Sequence, residues 1–177
     1  MHKTVLIITL LFSVFACNND SATKKQDPEQ LALSIQELGK KMFDETTSKM
    51  NTQIATEYIE KASTFAKENP GDDRSPVFLT KSAEVARSIK AFDKALTIYQ
   101  WIYDKFPNSK QAPQALFLKA FTLDNELHKQ DAAKKIYEEF LKKYPNDDFA
   151  DDTQFLLDNL GKSEEELIKE FEAKQKE

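Results

Sequence analysis

Few side chains in this sequence are of kinds that carry covalent or acid–base chemistry, and those few are scattered. The 177 residues hold one cysteine, Cys17, and two histidines, His2 and His128. A lone cysteine forms no internal disulfide. So small a set of sulfur and nitrogen ligands does not build a zinc site, a Cys–His pair or a Ser–His–Asp triad. The densest carboxylate group is Asp147, Asp148, Asp151 and Asp152. Its spacing lacks the alternating ligands and glycine of a calcium loop, whereas a helix start favours acids through its dipole. Gly39, Gly71 and Gly161 are isolated, so there is no glycine-rich loop to cradle a phosphate. No catalytic residue, metal or cofactor is expected, and the protein is not expected to be an enzyme. The chemistry that remains is binding.

Binding side chains need elements to hold them, and here those elements are helices. Ala, Leu, Lys, Glu and Gln dominate the long segments, and no β-branched run alternates strictly. The fold class expected is all-α. Net charge is −5, unevenly spread. Acids and bases balance at 20 each from Asn18 to Asp147, while Asp148 to Glu177 holds 10 acids and 4 bases. No basic stripe is present, so nucleic acid is not an expected partner.

The stretch from Ala91 to Asn146 says nearly the same thing twice. Ala95, Ile98, Tyr99 and Pro107 stand at the same offsets as Ala133, Ile136, Tyr137 and Pro145. A weaker copy ends at Pro70, with Ala62 at the tyrosine position and Phe65 five residues before the proline. The prolines at 70, 107 and 145 give periods of 37 and 38, which implies stacked helical hairpins. Asp27-Pro28 is expected to open the first helix, and a second to run from about Thr52 to Glu68. Between them, Asp44 to Asn51 is the expected turn. Ser75-Pro76 and Ala112-Pro113 are expected to start helices as cap plus proline. Asp151 to Leu160 is expected as a further helix, stopped by Gly161, and Ser163 to Glu166 as a capping box. Leu79, Ala83 and Ala86 should face Ala95, Tyr99 and Ile102. Leu116, Ala120 and Leu123 should face Ala133, Tyr137 and Phe140. Gly39, inside the first helix, is expected where a neighbouring helix comes close.

The N-terminal end reads as an address. An apolar run from Val5 to Phe15 follows His2 and Lys3 and is too short to span a bilayer. It ends Val14-Phe15-Ala16-Cys17, which resembles the bacterial lipobox, although Phe15 is bulkier than the usual residue. The resemblance implies a signal peptide over 1–16, lipidation at Cys17 and a flexible lipidated tether over 17–26. Multiple acyl chains such as palmitate would hold the protein on a membrane where a single chain is marginal. Asn18 gives no inner-membrane retention signal, so the expected location is the bacterial outer membrane, facing the periplasm. Asp20-Ser21-Ala22 matches a short O-glycosylation pattern of Bacteroidetes, which makes Ser21 a candidate acceptor.

The repeat units resemble tetratricopeptide repeats, with small residues, an aromatic and a proline at the family's positions. These are Ala83, Ala95, Tyr99 and Pro107 in one copy and Ala120, Ala133, Tyr137 and Pro145 in the next. The periods here are longer than usual, and Ser82 and Lys119 replace an expected large apolar residue. From about Ser75 to Phe171 the chain is similar to small tetratricopeptide lipoproteins of Bacteroidetes. More distantly it resembles the repeat lipoprotein of the β-barrel assembly machinery and the repeat domain of the Tol-Pal coordinator. The resemblance implies an α-solenoid over 27–177 with about three antiparallel hairpins plus C-terminal capping helices. It also implies that the first helix of each hairpin lines a concave groove. By position that groove would hold Thr80, Glu84 and Arg87 beside Phe117, Phe121, Asp124 and Asn125. Phe117 and Phe121 read equally as anchors for an apolar segment or as core. The function expected is a lipid-anchored scaffold that binds another envelope protein or a segment of one. The alternative is an envelope accessory protein binding a small molecule or glycan between helices. Self-association through exposed apolar faces is a third possibility.

Overall fold

A computed structural model describes residues 26–43 and 49–174. The expected signal peptide, Cys17, Ser21 and nearly all of the expected tether lie outside the described residues, as does most of the expected turn after Phe43. Among the described residues there are eight α-helices: α1 (Pro28–Lys41), α2 (Thr52–Glu68), α3 (Arg74–Ser88), α4 (Phe92–Lys105), α5 (Gln111–Phe121), α6 (Gln130–Lys143), α7 (Ala150–Asp158) and α8 (Glu164–Lys174). A π-helical turn, Thr122–Glu126, runs on from α5. Each helix from α1 to α6 packs on the next, and α3 also reaches α5. Hairpins α1–α2, α3–α4 and α5–α6 therefore stack in tandem, an all-α solenoid. The β-type pairing among the described residues is one antiparallel bridge, Phe43 to Met50.

The helix ends follow from their residues. Asp27 accepts from the Glu29 N–H at 3.0 Å, with Pro28 as the first helical residue. Asn51 Oδ1 accepts from the N–H groups of Gln53 and Ile54, each at 3.1 Å. Ser163 and Glu166 form the reciprocal capping box: Ser163 N–H donates to Glu166 Oε2 at 2.8 Å, and Glu166 N–H to Ser163 Oγ at 3.3 Å. Gly161 takes the left-handed conformation, φ 81°. Two expected starts are corrected, because α3 and α5 begin earlier, at Arg74 and Gln111. Ser75 is not a cap, and its hydroxyl donates back to the Asn69 carbonyl at 2.6 Å.

The three proline turns share one geometry. Asn69, Phe106 and Tyr144 end their helices with φ of −129°, −126° and −129° and ψ of 60°, 47° and 53°. In each, the N–H three residues on (Asp72, Ser109, Asp147) donates back to that residue's carbonyl, at 3.1, 2.9 and 3.2 Å. A proline after the last helical residue disfavours helical backbone there and removes a donor. Repetition of the turn repeats the direction of the chain. Arg74, just past the first of these turns, grips Glu29 of α1 at 3.0 and 2.8 Å and Asp72 at 2.9 and 2.7 Å. The guanidinium holds both carboxyls below their usual range, by hydrogen bonding first of all.

The extra residue of the longer unit has a place. Ala83 and Ala95 are twelve residues apart, and Ala120 and Ala133 thirteen. Between the second pair lies the π turn, where Leu127 N–H donates five residues back to the Thr122 carbonyl at 3.2 Å. One residue is absorbed as a helical bulge rather than a longer loop. Both interior inter-helix turns pass through a left-handed residue that is not glycine, Lys90 (φ 59°) and His128 (φ 51°).

The seam is the expected one. Leu79, Ala83, Ala86, Ala95, Tyr99 and Ile102 are all fully buried, as are Ala120, Ala133, Tyr137 and Phe140. Phe65 meets Phe78 edge-on at 5.0 Å, joining the first hairpin to the second. Gly39 differs from expectation. A methyl added there would stand 3.5 Å from the Tyr58 ring, an ordinary contact, so the helices are not close enough to demand glycine.

Candidate functional site

The face formed by α3, α5 with its π turn, and α7 contains the residues singled out above, but not as one groove. Thr80 is 7% exposed and its hydroxyl donates to the Pro76 carbonyl at 2.9 Å. Phe117 is 8% exposed, stacked on Phe149 at 4.7 Å and edge-on to Phe140 at 6.2 Å. Both are withdrawn from any contact surface: Phe117 fills the space between α5, α6 and the turn into α7. Glu84 pairs with Lys81 at 3.2 Å.

Arg87 and Phe121 come together. The Arg87 guanidinium carbon lies 5.3 Å from the Phe121 ring centroid, and its Nη2 is 3.3 Å from Glu126 Oε1. This contact joins α3 to the π turn, and Phe121 stays half-buried at the edge of the second core. Asn125 is exposed, its amide donating to the Phe121 carbonyl at 3.4 Å. Beneath this face the Tyr99 and Tyr137 hydroxyls are buried without a hydrogen-bond partner among the described residues. Burial pushes the Tyr99 hydroxyl up to about 12 against the opposing pull of Arg87. Tyr137 is raised by burial and then by the Asp124 charge.

Asp124 opens onto a cleft of about 390 Å³ between the π turn and α7. Asn125, His128 and Gln130 line one side, and Phe155 and Asn159 the other. The Asp124 carboxyl is raised by burial, with His128 opposing, and accepts no hydrogen bond among the described residues. Asn159 is engaged: its amide donates to the Phe155 carbonyl at 2.7 Å and its Oδ1 accepts from Lys162 at 3.1 Å. Phe155 is 49% exposed. Residue typing undervalued Phe155, although the repeat offset puts it level with Thr80 and Phe117. Glu126 and His128 carried no sequence signal for this role, because the bulge they lie in or just beyond is invisible in residue types.

The opposite face, made by the second helices of the hairpins, holds a further feature that residue spacing passed over. Trp101, the one tryptophan of the sequence, is half-buried between a groove of about 610 Å³ with Ile59 and Ile98 and another of about 520 Å³ with Leu96 and Lys119. Two positions beyond Tyr99, it is rotated off the seam toward solvent. The Lys119 ammonium donates to Gln100 there, and burial lowers its pKa.

Residues 114–147, the third hairpin with its closing turn, match the family model described as Tetratricopeptide repeat. No curated protein and no solved structure gives a significant match to the chain. The chain thus carries a repeat of a kind that generally mediates protein–protein interaction on non-catalytic scaffolds.

Proposed function

We propose that this protein is a lipid-anchored interaction scaffold of the bacterial envelope. In this reading the segment 1–16 is removed as a signal peptide, Cys17 carries acyl chains, and residues 17–26 tether the domain over 27–177. The domain sits on the outer membrane, faces the periplasm, and holds another envelope protein or a segment of one. One observation carries the scaffold reading most directly. The apolar side chains of the tandem hairpins are spent on an internal seam, leaving two grooved faces for partners. The anchor rests on the lipobox-like residues ending at Cys17.

Photo-crosslinking residues placed at Asn125 and at Trp101 in living cells test the scaffold. A discrete crosslinked protein at either position supports it, and none at both refutes it. Cys17→Ser tests the anchor separately, with release from the membrane fraction expected. A second reading, a small molecule or glycan held between helices, is favoured by the polar cleft at Asp124.

A further inference from the structure

The cleft between the π turn and α7 is rich in acceptors and poor in partners. Asp124 presents a carboxylate with no hydrogen bond among the described residues, half withdrawn from water. The only use of the Asn125 amide among the described residues is its N–H bond to Phe121, which leaves its oxygen available. The Gln130 side chain borders Gly161, where a Cβ would stand 3.3 Å from Oε1. Across from these, Phe155 is half exposed to solvent.

A carboxylate and amide oxygens facing an open aromatic ring suit a cation. Partial burial disfavours the charged carboxylate, and a cation that completes it offsets that cost, while a ring face attracts ammonium and guanidinium groups. Two cations near the cleft are engaged elsewhere: Lys162 donates to Asn159, and Arg87 is held by Glu126 and Phe121. His128, exposed on the lip, opposes the rise of the Asp124 carboxyl. The C-terminal sequence adds negative charge, Asp148 to Glu177 carrying 10 acids against 4 bases, and net negative charge draws basic segments.

We propose that this cleft receives a lysine or arginine side chain from an extended segment of the partner, with Asp124 accepting its charged hydrogen bonds and Phe155 covering its stem. The proposal rests on the scaffold reading and names what the scaffold recognises. The π turn matters to it, because the extra residue lies in the segment that carries both Asp124 and Asn125.

The test uses the full chain purified in detergent and four fluorescein-labelled nine-residue peptides. They are identical except for lysine, arginine, norleucine or glutamate at the centre. Fluorescence anisotropy should give Kd values about tenfold or more lower for lysine and arginine than for norleucine. Glutamate should bind weakest. Asp124→Asn should erase the difference between lysine and norleucine. Phe155→Leu, which keeps an apolar side chain, should weaken both cationic peptides severalfold. Equal binding of lysine and norleucine, or full discrimination retained in a folded Asp124→Asn protein, overturns the proposal. Spermidine is titrated as a competitor. Tighter binding than the lysine peptide, lost in Asp124→Asn, would make the ligand a free polyamine and overturn the peptide assignment. The scaffold reading is separable: a cellular crosslink at Asn125 that survives Asp124→Asn sustains the scaffold while the cation pocket fails.

Discussion

At the scale of single residues, the structure separates side chains kept for folding from those kept despite it. Asp124 is of the second kind. Burial raises its carboxyl above the usual range, so folding holds the proton more tightly than the unfolded chain does. The contribution of this one group to stability is therefore fully present below its unfolded pKa and is lost as pH rises through the folded pKa, the reverse of a salt-bridged carboxylate. Asp124→Asn should raise the melting temperature at pH 7 and leave it nearly unchanged below the carboxylate range, as thermal melts across pH would show. The two phenylalanines four residues apart illustrate what the sequence could not resolve. Their spacing puts them on one side of α5, yet Phe117 stacks on Phe149 while Phe121 sits half out beneath Arg87. That division depends on a ring contributed from the following turn, which no local pattern announces. Phe117→Ala should cost about 3–5 kcal/mol in urea unfolding. Phe155→Ala, on a half-exposed ring, should cost under about 1 kcal/mol.

At the scale of helices, most of the architecture was legible, because the repeat states its own boundaries. Proline fixes each closing turn, and alanine marks where paired helices must touch. Fully buried Ala83 and Ala120 leave no room for larger side chains. Ala83→Leu or Ala120→Leu should therefore destabilise by roughly 1–3 kcal/mol, measured by the same unfolding experiment. Gly39 is the element-level expectation that did not hold. Glycine inside a helix suggests a close neighbour, but the Tyr58 ring leaves room for a methyl. Gly39→Ala should then stabilise by about 0.5–1 kcal/mol through helix propensity and reduced freedom of the unfolded chain. The helix starts at Arg74 and Gln111 were misplaced because Ser75-Pro76 and Ala112-Pro113 imitate a cap. The true starts are set by turn hydrogen bonds, with Asp72 and Ser109 carbonyls accepting from Ser75 and Ala112 at 2.9 and 3.2 Å. The π turn was written in the sequence only as the difference between two spacings, twelve and thirteen, whose meaning needs a backbone.

At the scale of the whole molecule, the seam runs from α1 to α7 as two contiguous clusters that meet at Leu118. Hairpins so joined contribute to stability mainly through their neighbours. The near-identical torsions at Asn69, Phe106 and Tyr144 make the molecule extensible. A second copy of the segment 71–107, spliced in after Pro107, would continue the stack with the same turn and meet a surface like the one it came from. Such a lengthened protein should keep its helical ellipticity per residue and melt higher than the original. The number of units would then be a dial for reach, set without redesigning any joint.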